Sequence, residues 1–308
     1  MKTMGNMGRL KYVDRSKIKD VVKSGRVLVS DGAWGTYLHE NGLQAGECPE
    51  KWCLDRPDDV KNIAKSYIEA GADMVETDSF GGSSIKLEHY GLADRAADIN
   101  MAATQLSREA AGSKNWVIGS IGPTGKMLIM GDVSEEELYQ SFKEQAIAIE
   151  KGGGDAVCIE TMSAIDEATI AVKAAKENTD LEIICTFTFE KTANDEYRTM
   201  MGVSPTEMTR AIVEAGADII GTNCGNGIEG MVDIVREIKA AAPEKPILVH
   251  ANAGIPILVN GVDTFPESPE FMASQIPGLV EAGANIIGGC CGTTPAHISA
   301  IKEMIQSL

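Results

Sequence analysis

One short sequence pattern occurs four times along this 308-residue chain. In each copy a helical turn ends at glycine, and Asp or Asn then precedes an apolar run with the character of a strand. The copies are marked by Asp73, Asp155, Asp218 and Asn285, within IEAGADMVET, IEKGGGDAVCIET, VEAGADIIGTN and VEAGANIIGG. Successive markers lie about two strand–helix units apart, at roughly 30 to 40 residues a unit. The spacing therefore predicts one further strand between each pair of markers.

Eight apolar or β-branched runs meet this expectation, and helical patterns separate them. The runs are 27–31, 74–77, 116–120, 156–160, 182–187, 219–223, 247–250 and 285–289. Nearly continuous apolar strands joined by helices require a parallel sheet that is covered on its outer face. The chain is therefore predicted to be a single-domain α/β protein, a (β/α)8 TIM barrel over residues 1–308. Residues 1–26 would form an N-terminal extension, whose helix near 16–24 plugs the bottom of the barrel.

Charge and hydropathy exclude several kinds of partner. A net charge of −17 repels nucleic-acid phosphates and anionic membrane surfaces. No apolar run approaches the roughly 18 residues of a spanning helix, and the N-terminus lacks the apolar core of a signal peptide. We therefore expect a cytoplasmic protein that binds neither nucleic acid nor membrane.

The cysteines indicate where the chemistry lies. Seven cysteines, an odd number, without a secretion signal argue against a disulfide framework and favour thiol or metal chemistry. In a (β/α)8 barrel the carboxyl ends of the strands meet at one face, where Cys224 would end the sixth strand and Cys290–Cys291 the eighth. Neighbouring strands lie about 4.8 Å apart, so the three thiols can meet. Three cysteines with one open position are the ligand set of a catalytic zinc site, and buried inert thiols are the alternative.

The remaining four cysteines call for simpler interpretations. Cys158 and Cys185 lie within predicted strands and are expected to be small core residues. Cys48 and Cys53, in ECPEKWC, are expected to be thiols of a surface loop.

Several motifs resemble a known family. In order and spacing, DGAWGT, ETDSFGGSSIKLEHYGL, IGSIGPTGKML, GTNCG, ANAGIP and GGCCGTTPAHI resemble the zinc-dependent homocysteine S-methyltransferases, in particular the N-terminal homocysteine-binding module of cobalamin-dependent methionine synthase. The resemblance covers about residues 27–301. It implies methylation of homocysteine to methionine, a step of methionine biosynthesis, with Zn²⁺ held by Cys224, Cys290 and Cys291 as the catalytic centre.

The implied metal suits the implied reaction. A free thiol has a pKa near 8.5 and is mostly protonated at pH 7, whereas coordination to Zn²⁺ removes its proton. Three anionic ligands leave the substrate thiolate electron-rich and hold it for attack on a methyl group.

The resemblance also implies contacts to the amino-acid part of the substrate. It assigns the ammonium group to Asp31 and Glu160, at the ends of the first and fourth strands, although Asp31 could instead cap a turn or helix. The amides of Gly32 and Ala33 and the hydroxyl of Thr77 could bind the carboxylate. The side-chain oxygen of Asn252, at the end of the seventh strand, could occupy the open zinc position when no thiol is bound.

One motif departs from the family. The second-strand motif usually reads TNTF in the synthase modules and reads TDSF here, so Asp78 adds a negative charge and leaves the identity of the thiol open.

The methyl donor is expected to come from outside the chain, because the predicted barrel uses almost all of it. A methyl-corrinoid carried by a partner protein is the first expectation, with the loops 32–56 and 251–267 available for docking. A small donor such as S-methylmethionine or a betaine is the alternative within the same class. Two rivals are a non-catalytic zinc- or thiol-binding subunit of a corrinoid system and a redox barrel with a disulfide between Cys290 and Cys291.

Overall fold

The computed structural model describes residues 16–259 and 262–308, and eight parallel strands form its central sheet. Strands β1 to β8 are Leu28–Val29, Met74–Glu76, Trp116–Ile121, Ala156–Met162, Glu182–Phe187, Ile219–Gly227, Ile247–Asn252 and Ile286–Gly289. From β2 to β8 each strand pairs with the next, and β8 pairs with β1. The predicted (β/α)8 barrel is confirmed, with strand positions close to those predicted.

Helices alternate with these strands and cover the outside of the sheet. They are α1 to α12, at Ile18–Lys23, Gly35–Glu40, Trp52–Asp55, Pro57–Glu69, Ser84–Leu87, Ala96–Ala111, Glu135–Gly152, Ile165–Asn178, Pro205–Ala215, Ile228–Ala241, Pro269–Ala282 and Pro295–Ser307. Two short antiparallel hairpins lie in the loops after β5 and β7, at Glu190–Lys191 with Tyr197–Arg198 and at Ile257–Val259 with Val262–Thr264. No helix within the described ranges is long and apolar enough to span a membrane.

Aspartate side chains close the seam between β1 and β2. The Asp73 amide donates to Val29 O at 2.7 Å, and the Val29 amide donates to the Asp73 carboxylate at 2.9 Å. At the other end of the seam the Glu76 amide donates to Asp31 Oδ2 at 2.8 Å. The barrel thus closes through side chains where a regular backbone ladder is interrupted.

The Asp or Asn of the repeated pattern has the same structural role in all four copies. Its side chain accepts a hydrogen bond from a backbone N–H at the beginning of the preceding strand, over 2.8 to 3.1 Å. A buried N–H that lacks an acceptor costs free energy, so each of these four bonds stabilises the beginning of a strand. The acceptors are Asp73, Asp155, Asp218 and Asn285, and their donors are Val29, Val117, Ile183 and Ile247.

Replacing Asp73 by alanine is expected to lower the free energy of unfolding by about 2 to 3 kcal/mol, because the Val29 amide loses its acceptor and two cations lose a partner. Arg26 and Lys302 contact the same carboxylate at 2.9 and 2.8 Å. Asp73→Asn should cost less, since Asn285 serves as acceptor in the fourth copy. Urea unfolding measures the free energy of unfolding of both Asp73 variants. Asp58→Ala is the control, because the Asp58 side chain is 91% exposed. An unchanged unfolding midpoint for Asp73→Ala would contradict this role.

Helix α1 packs against the amino-terminal ends of the strands. Ile18 and Val22 are buried in one cluster with interior residues at the bottom of the barrel, including Leu28 and Met74. The Ile18 amide donates to the Glu182 carboxylate at 2.5 Å, which anchors the helix to β5. Residues 1–15 of the proposed extension lie outside the described residues.

Candidate metal and thiol-binding site

Cys224, Cys290 and Cys291 meet at the carboxyl ends of β6 and β8. Their Sγ atoms all lie within 4.8 Å of one another, and those of Cys224 and Cys291 are 4.0 Å apart. Sulfur ligands of a tetrahedral zinc ion, each about 2.3 Å from the metal, lie about 3.8 Å apart. The three thiols therefore fit a metal ion with little movement. Within the described part of the chain, this is the only group of three His, Cys, Asp or Glu residues that could hold one.

A bulge in β6 directs Cys224 toward the other two cysteines. The pairing of β6 with β7 shifts register between Asn223 and Gly227. Cys224 has φ +58° and Gly225 has φ +71°, both in the left-handed region that side chains rarely adopt. Gly225 is required here, because a Cβ would lie 2.6 Å from Phe189 O. The strained conformation at Cys224 must be held by its neighbours.

Cys290 and Cys291 follow β8 in a turn that is bonded to β7. The Cys290 amide donates to Ala251 O at 2.7 Å, and the Ala253 amide donates to Cys291 O at 2.9 Å. Adjacent residues of a regular strand face opposite sides of a sheet, so both thiols reach one point only because the chain leaves the strand here.

The three thiols share protons. Hydrogen bonds from Cys290 and Cys291 lower the pKa of the Cys224 thiol far below its usual value. The reciprocal hydrogen bonds raise the pKa of Cys290 and of Cys291. A cation that binds to the cluster would displace the protons that these thiols share.

Three buried carboxyl groups form an acidic floor beside the cysteines, at the ends of β1, β2 and β4. Burial raises the pKa of Asp31 to about 6 and that of Glu160 to about 7. Burial, with the charges of Glu160 and Asp31, raises the pKa of Glu76 well above its usual value. Among the described residues the one basic side chain within 4 Å of these carboxyl groups is His250, whose Nδ1 lies 3.8 Å from Glu76 Oε1, and burial lowers the pKa of His250 to about 4, which disfavours its charged form. A ligand that carries a positive charge would stabilise this floor.

Asp31 and Glu160 differ in how many hydrogen bonds they accept from other residues of the protein. The Asp31 carboxylate accepts hydrogen bonds from the Ser30 hydroxyl, the Trp34 indole and the Glu76 amide. Glu160 accepts one from the Ser120 hydroxyl and one from Asn223 Nδ2 at 3.2 Å. The bonds of Asp31 come from two side chains and from the β2 strand, not from the amides of a following turn or helix, and Glu160 retains more capacity for a ligand.

Two of the three groups predicted to bind a substrate carboxylate, the Ala33 amide and the Thr77 hydroxyl, have partners within the protein. The Ala33 amide donates to Thr293 Oγ1 at 3.0 Å, and Thr77 Oγ1 accepts from the Ser120 amide at 3.1 Å. A Cβ at Gly32 would lie 2.7 Å from Thr293 Oγ1, so this turn requires glycine. A substrate carboxylate would have to exchange with these bonds.

Asn252 lies beside the cysteine cluster, as the strand order predicted. Its side chain is buried, and its hydrogen bond to Cys224 contributes to the lowered pKa of that thiol. Its Oδ1 atom has no hydrogen-bond partner among the residues that the structure describes. A buried oxygen without a partner beside three thiols is suited to a metal or to a ligand donor.

The prediction that Cys48 and Cys53 are surface thiols is wrong, since both are buried. The loop after β1 folds back onto the end of β2, where Cys53 Sγ donates to Asp78 O at 3.4 Å. Burial and the neighbouring Glu50 raise the pKa of Asp78 well above its usual value, so its carboxyl group favours the neutral form. The expectation that Cys158 and Cys185 are core residues is confirmed, because both are fully buried in strands.

Four further residues belong to the site and were not among those predicted from the sequence. Glu76, Ser120 and His250 each follow an interior apolar residue by two positions, so strand alternation could have placed them on the inner face. Asn223 directly precedes Cys224 and is fully buried. No sequence pattern indicated that it would bond to the fourth strand.

The fold and the site define a class of (β/α)8-barrel enzymes in which a cysteine cluster able to hold a metal lies at the carboxyl end of the barrel, beside buried acids. The family model for homocysteine S-methyltransferase matches residues 28–305. The chain belongs to this family and is therefore a methyltransferase.

Curated relatives agree with this assignment. The chain is 32% identical to the methionine synthase of Mycobacterium tuberculosis over 97% of its own length and 31% identical to that of Mycobacterium leprae over 91%. It spans about a quarter of these relatives, 26% and 24% of their lengths.

A solved structure supports the fold. The metallated form of the homocysteine methyltransferase MmuM from Escherichia coli superimposes with a TM-score of 0.76 at 22% identity, over 92% of this chain and 98% of that one.

Proposed function

We propose that this protein is a zinc-dependent S-methyltransferase that methylates the thiol of homocysteine with a methyl group from a corrinoid protein. One observation carries the proposal. A cluster of three half-buried cysteines adjoins buried carboxyl groups whose one basic neighbour among the described residues is His250, and burial lowers the pKa of His250 to about 4. A thiol would suit the cysteine cluster with its metal, and an ammonium group would suit the buried carboxyl groups. Homocysteine carries both groups.

Cys224, Cys290 and Cys291 would hold the metal, whose contribution is to keep the substrate thiol in its nucleophilic thiolate form near neutral pH. Glu160 binds the ammonium group of the substrate. Hydrogen bonds from Ser120 and Asn223 fix the orientation of the Glu160 carboxylate. These contacts restrict the substrate to one orientation, which raises the effective concentration of its sulfur at the donor methyl group.

Exposed apolar side chains around the barrel mouth support a donor carried by another protein. They come from the loops that follow β2, β3, β5 and β7, all at the carboxyl end of the sheet. Many exposed apolar side chains at one end of a fold favour an interaction site there. We call this set the apolar rim: Phe80, Met127, Ile129, Met130, Met200, Met201, Ile255, Ile257 and Leu258.

Methyl transfer to homocysteine tests the function directly. The purified protein, with its zinc content measured, is offered a methylated corrinoid protein, free methylcobalamin, S-methylmethionine or glycine betaine. Methionine formed from the corrinoid donors supports the proposal. Transfer from a small donor alone would replace the proposed donor, and binding without transfer from any donor would indicate a non-catalytic subunit. The redox alternative would be favoured by two results together. The protein purified under reducing conditions would contain no zinc, and oxidation would form a disulfide between Cys290 and Cys291.

Placing lysines on the apolar rim should affect only a protein donor. Ile129 is 80% exposed and Met200 75% exposed, so the double variant Ile129→Lys/Met200→Lys should fold normally. We expect its KM for the methylated corrinoid protein to rise roughly 30-fold, because two contacts of about 1 kcal/mol each are lost. The rate with free methylcobalamin should be unchanged. Leu308→Lys, at an exposed apolar residue at the end of α12, is the control. Equal KM values in all three proteins would exclude this docking surface.

A further inference from the structure

Asn223 connects two parts of the site that lie far apart in the sequence, the Glu160 carboxylate and the metal ligand Cys224. Its side chain is fully buried and makes four hydrogen bonds to residues at the ends of β4 and β5. Nδ2 donates to Glu160 Oε2 at 3.2 Å and to Thr161 Oγ1 at 2.7 Å. Oδ1 accepts from the Thr161 amide at 2.8 Å and from the Thr186 hydroxyl at 2.7 Å. The amide group therefore uses all four of its usual hydrogen-bonding positions.

Two strained residues are next to these bonds. Cys224, directly after Asn223, and Thr161, directly after Glu160, both have φ +58°. Among the described residues other than glycine, the third positive φ is that of Asp195, in the hairpin after β5. A β-branched residue such as Thr161 is unfavourable in this region, by about 1 to 3 kcal/mol, unless its surroundings hold it there. The Asn223 side chain holds Thr161 by a hydrogen bond in each direction, and its backbone continues directly into Cys224.

We infer that Asn223 is a positioning residue that couples the amine-binding carboxylate Glu160 to the metal ligand Cys224. The inference rests on the proposed function. A ligand ammonium group that bonds to Glu160 changes the hydrogen bond between Glu160 and Asn223 Nδ2. Any shift of Asn223 then moves the backbone of Cys224, which is the next residue. Because coupling between two sites is reciprocal, binding of the amine should change metal affinity as much as the metal changes amine affinity.

The coupling is measurable without turnover. Zinc affinity is determined by competition with a chromophoric chelator in the absence of thiol, with homocysteine, and with 4-mercaptobutanoate, which has the thiol and carboxylate but no ammonium group. In the wild type we expect homocysteine to raise zinc affinity roughly 10-fold more than 4-mercaptobutanoate does, within the range of measured couplings. We call this ratio the amine effect.

Substitutions then separate coupling from a purely structural role. Asn223→Ala should abolish the amine effect, and it should also weaken zinc binding in the absence of thiol. Glu160→Gln should abolish the amine effect while zinc affinity without thiol stays within about twofold. Asn226→Ala is the matched control, because Asn226 lies in the same bulge and its buried side chain bonds to Phe189 O, at 2.6 Å, instead of to Glu160. It should retain the full amine effect.

The outcomes distinguish this inference from the proposed function. A wild type that binds zinc but shows no amine effect would contradict both the amine site and the coupling. A wild-type amine effect that persists in Asn223→Ala would overturn the coupling and leave the proposed function intact. Circular dichroism and thermal unfolding verify that each variant is folded. If Asn223→Ala does not fold, Asn223→Ser, which keeps a polar group toward Thr161 but cannot reach both partners, carries the same test.

Discussion

Replacing Cys224 by serine is expected to lower zinc affinity by more than about 100-fold and to abolish methyl transfer, since loss of even an outer-shell partner of a metal costs roughly 10- to 100-fold. Two thiols cannot provide the three-sulfur site, and a serine hydroxyl is not deprotonated at neutral pH. The strained backbone at residue 224 should be retained, because it is imposed by Asn223 and Gly225 and does not depend on the sulfur atom. The loss should therefore occur without unfolding.

Zinc content after dialysis against a weak chelator, together with activity, measures this effect. Cys185→Ser is the control for loss of a thiol as such, because Cys185 lies fully buried in β5 and takes no part in the cluster. It should lose stability while keeping one zinc ion per chain. Stoichiometric zinc in Cys224→Ser would exclude the proposed metal site.

Replacing Glu160 by glutamine is expected to weaken homocysteine binding by about 10- to 100-fold, the equivalent of one charged hydrogen bond of roughly 1.5 to 3 kcal/mol. The affinity for 4-mercaptobutanoate should be nearly unchanged, since that thiol has no ammonium group. Glu167→Gln is the matched control: Glu167 is also a buried acid near the carboxyl end of the barrel, but it bonds to Thr124. A similar loss for both thiols would place Glu160 outside the amine site.

The raised pKa of Glu160 gives this prediction a pH dependence. With a pKa of about 7 the carboxyl group is protonated below neutrality, so the preference for homocysteine over 4-mercaptobutanoate should fall as the pH decreases from 8 to 6. In Glu160→Gln the preference should be small at every pH. Taking the ratio of the two thiols removes the pH dependence of thiol deprotonation, which they share.

The same shift has a consequence for stability. Because the pKa of Glu160 is higher in the folded than in the unfolded chain, its ionisation opposes folding, and this contribution grows as the pH rises from about 4.5 through 7. Glu160→Gln should therefore unfold with a shallower decrease in stability toward pH 8 than the wild type. A carboxylate whose charge stabilises the fold would behave in the opposite way, so the two measurements together separate binding from folding.

Much of the fold and part of the site follow from local sequence patterns. The repeated helix–glycine–strand pattern predicts the barrel, because each copy encodes one local unit whose period is visible in the chain. The sequence also predicts that the three cysteines lie together, because the carboxyl ends of parallel strands meet at one face. Cys48 and Cys53 show the limit of such reasoning. Their burial depends on how a loop folds over β2, and no local pattern encodes that path.

The sequence by itself determined the barrel, the family and the identity of the three thiols, since these depend on periodicity and on residue types at strand ends. Only the tertiary structure decided how the groups are used. It shows that Asp31 accepts a hydrogen bond from β2, that Glu76 completes the acidic floor next to His250, and that Asn223, which precedes Cys224, bonds to Glu160. These are contacts between residues 45 to 174 positions apart along the chain. The physical reason is that hydrogen bonds and charges depend on distance in space, which sequence patterns define only within one strand or helix.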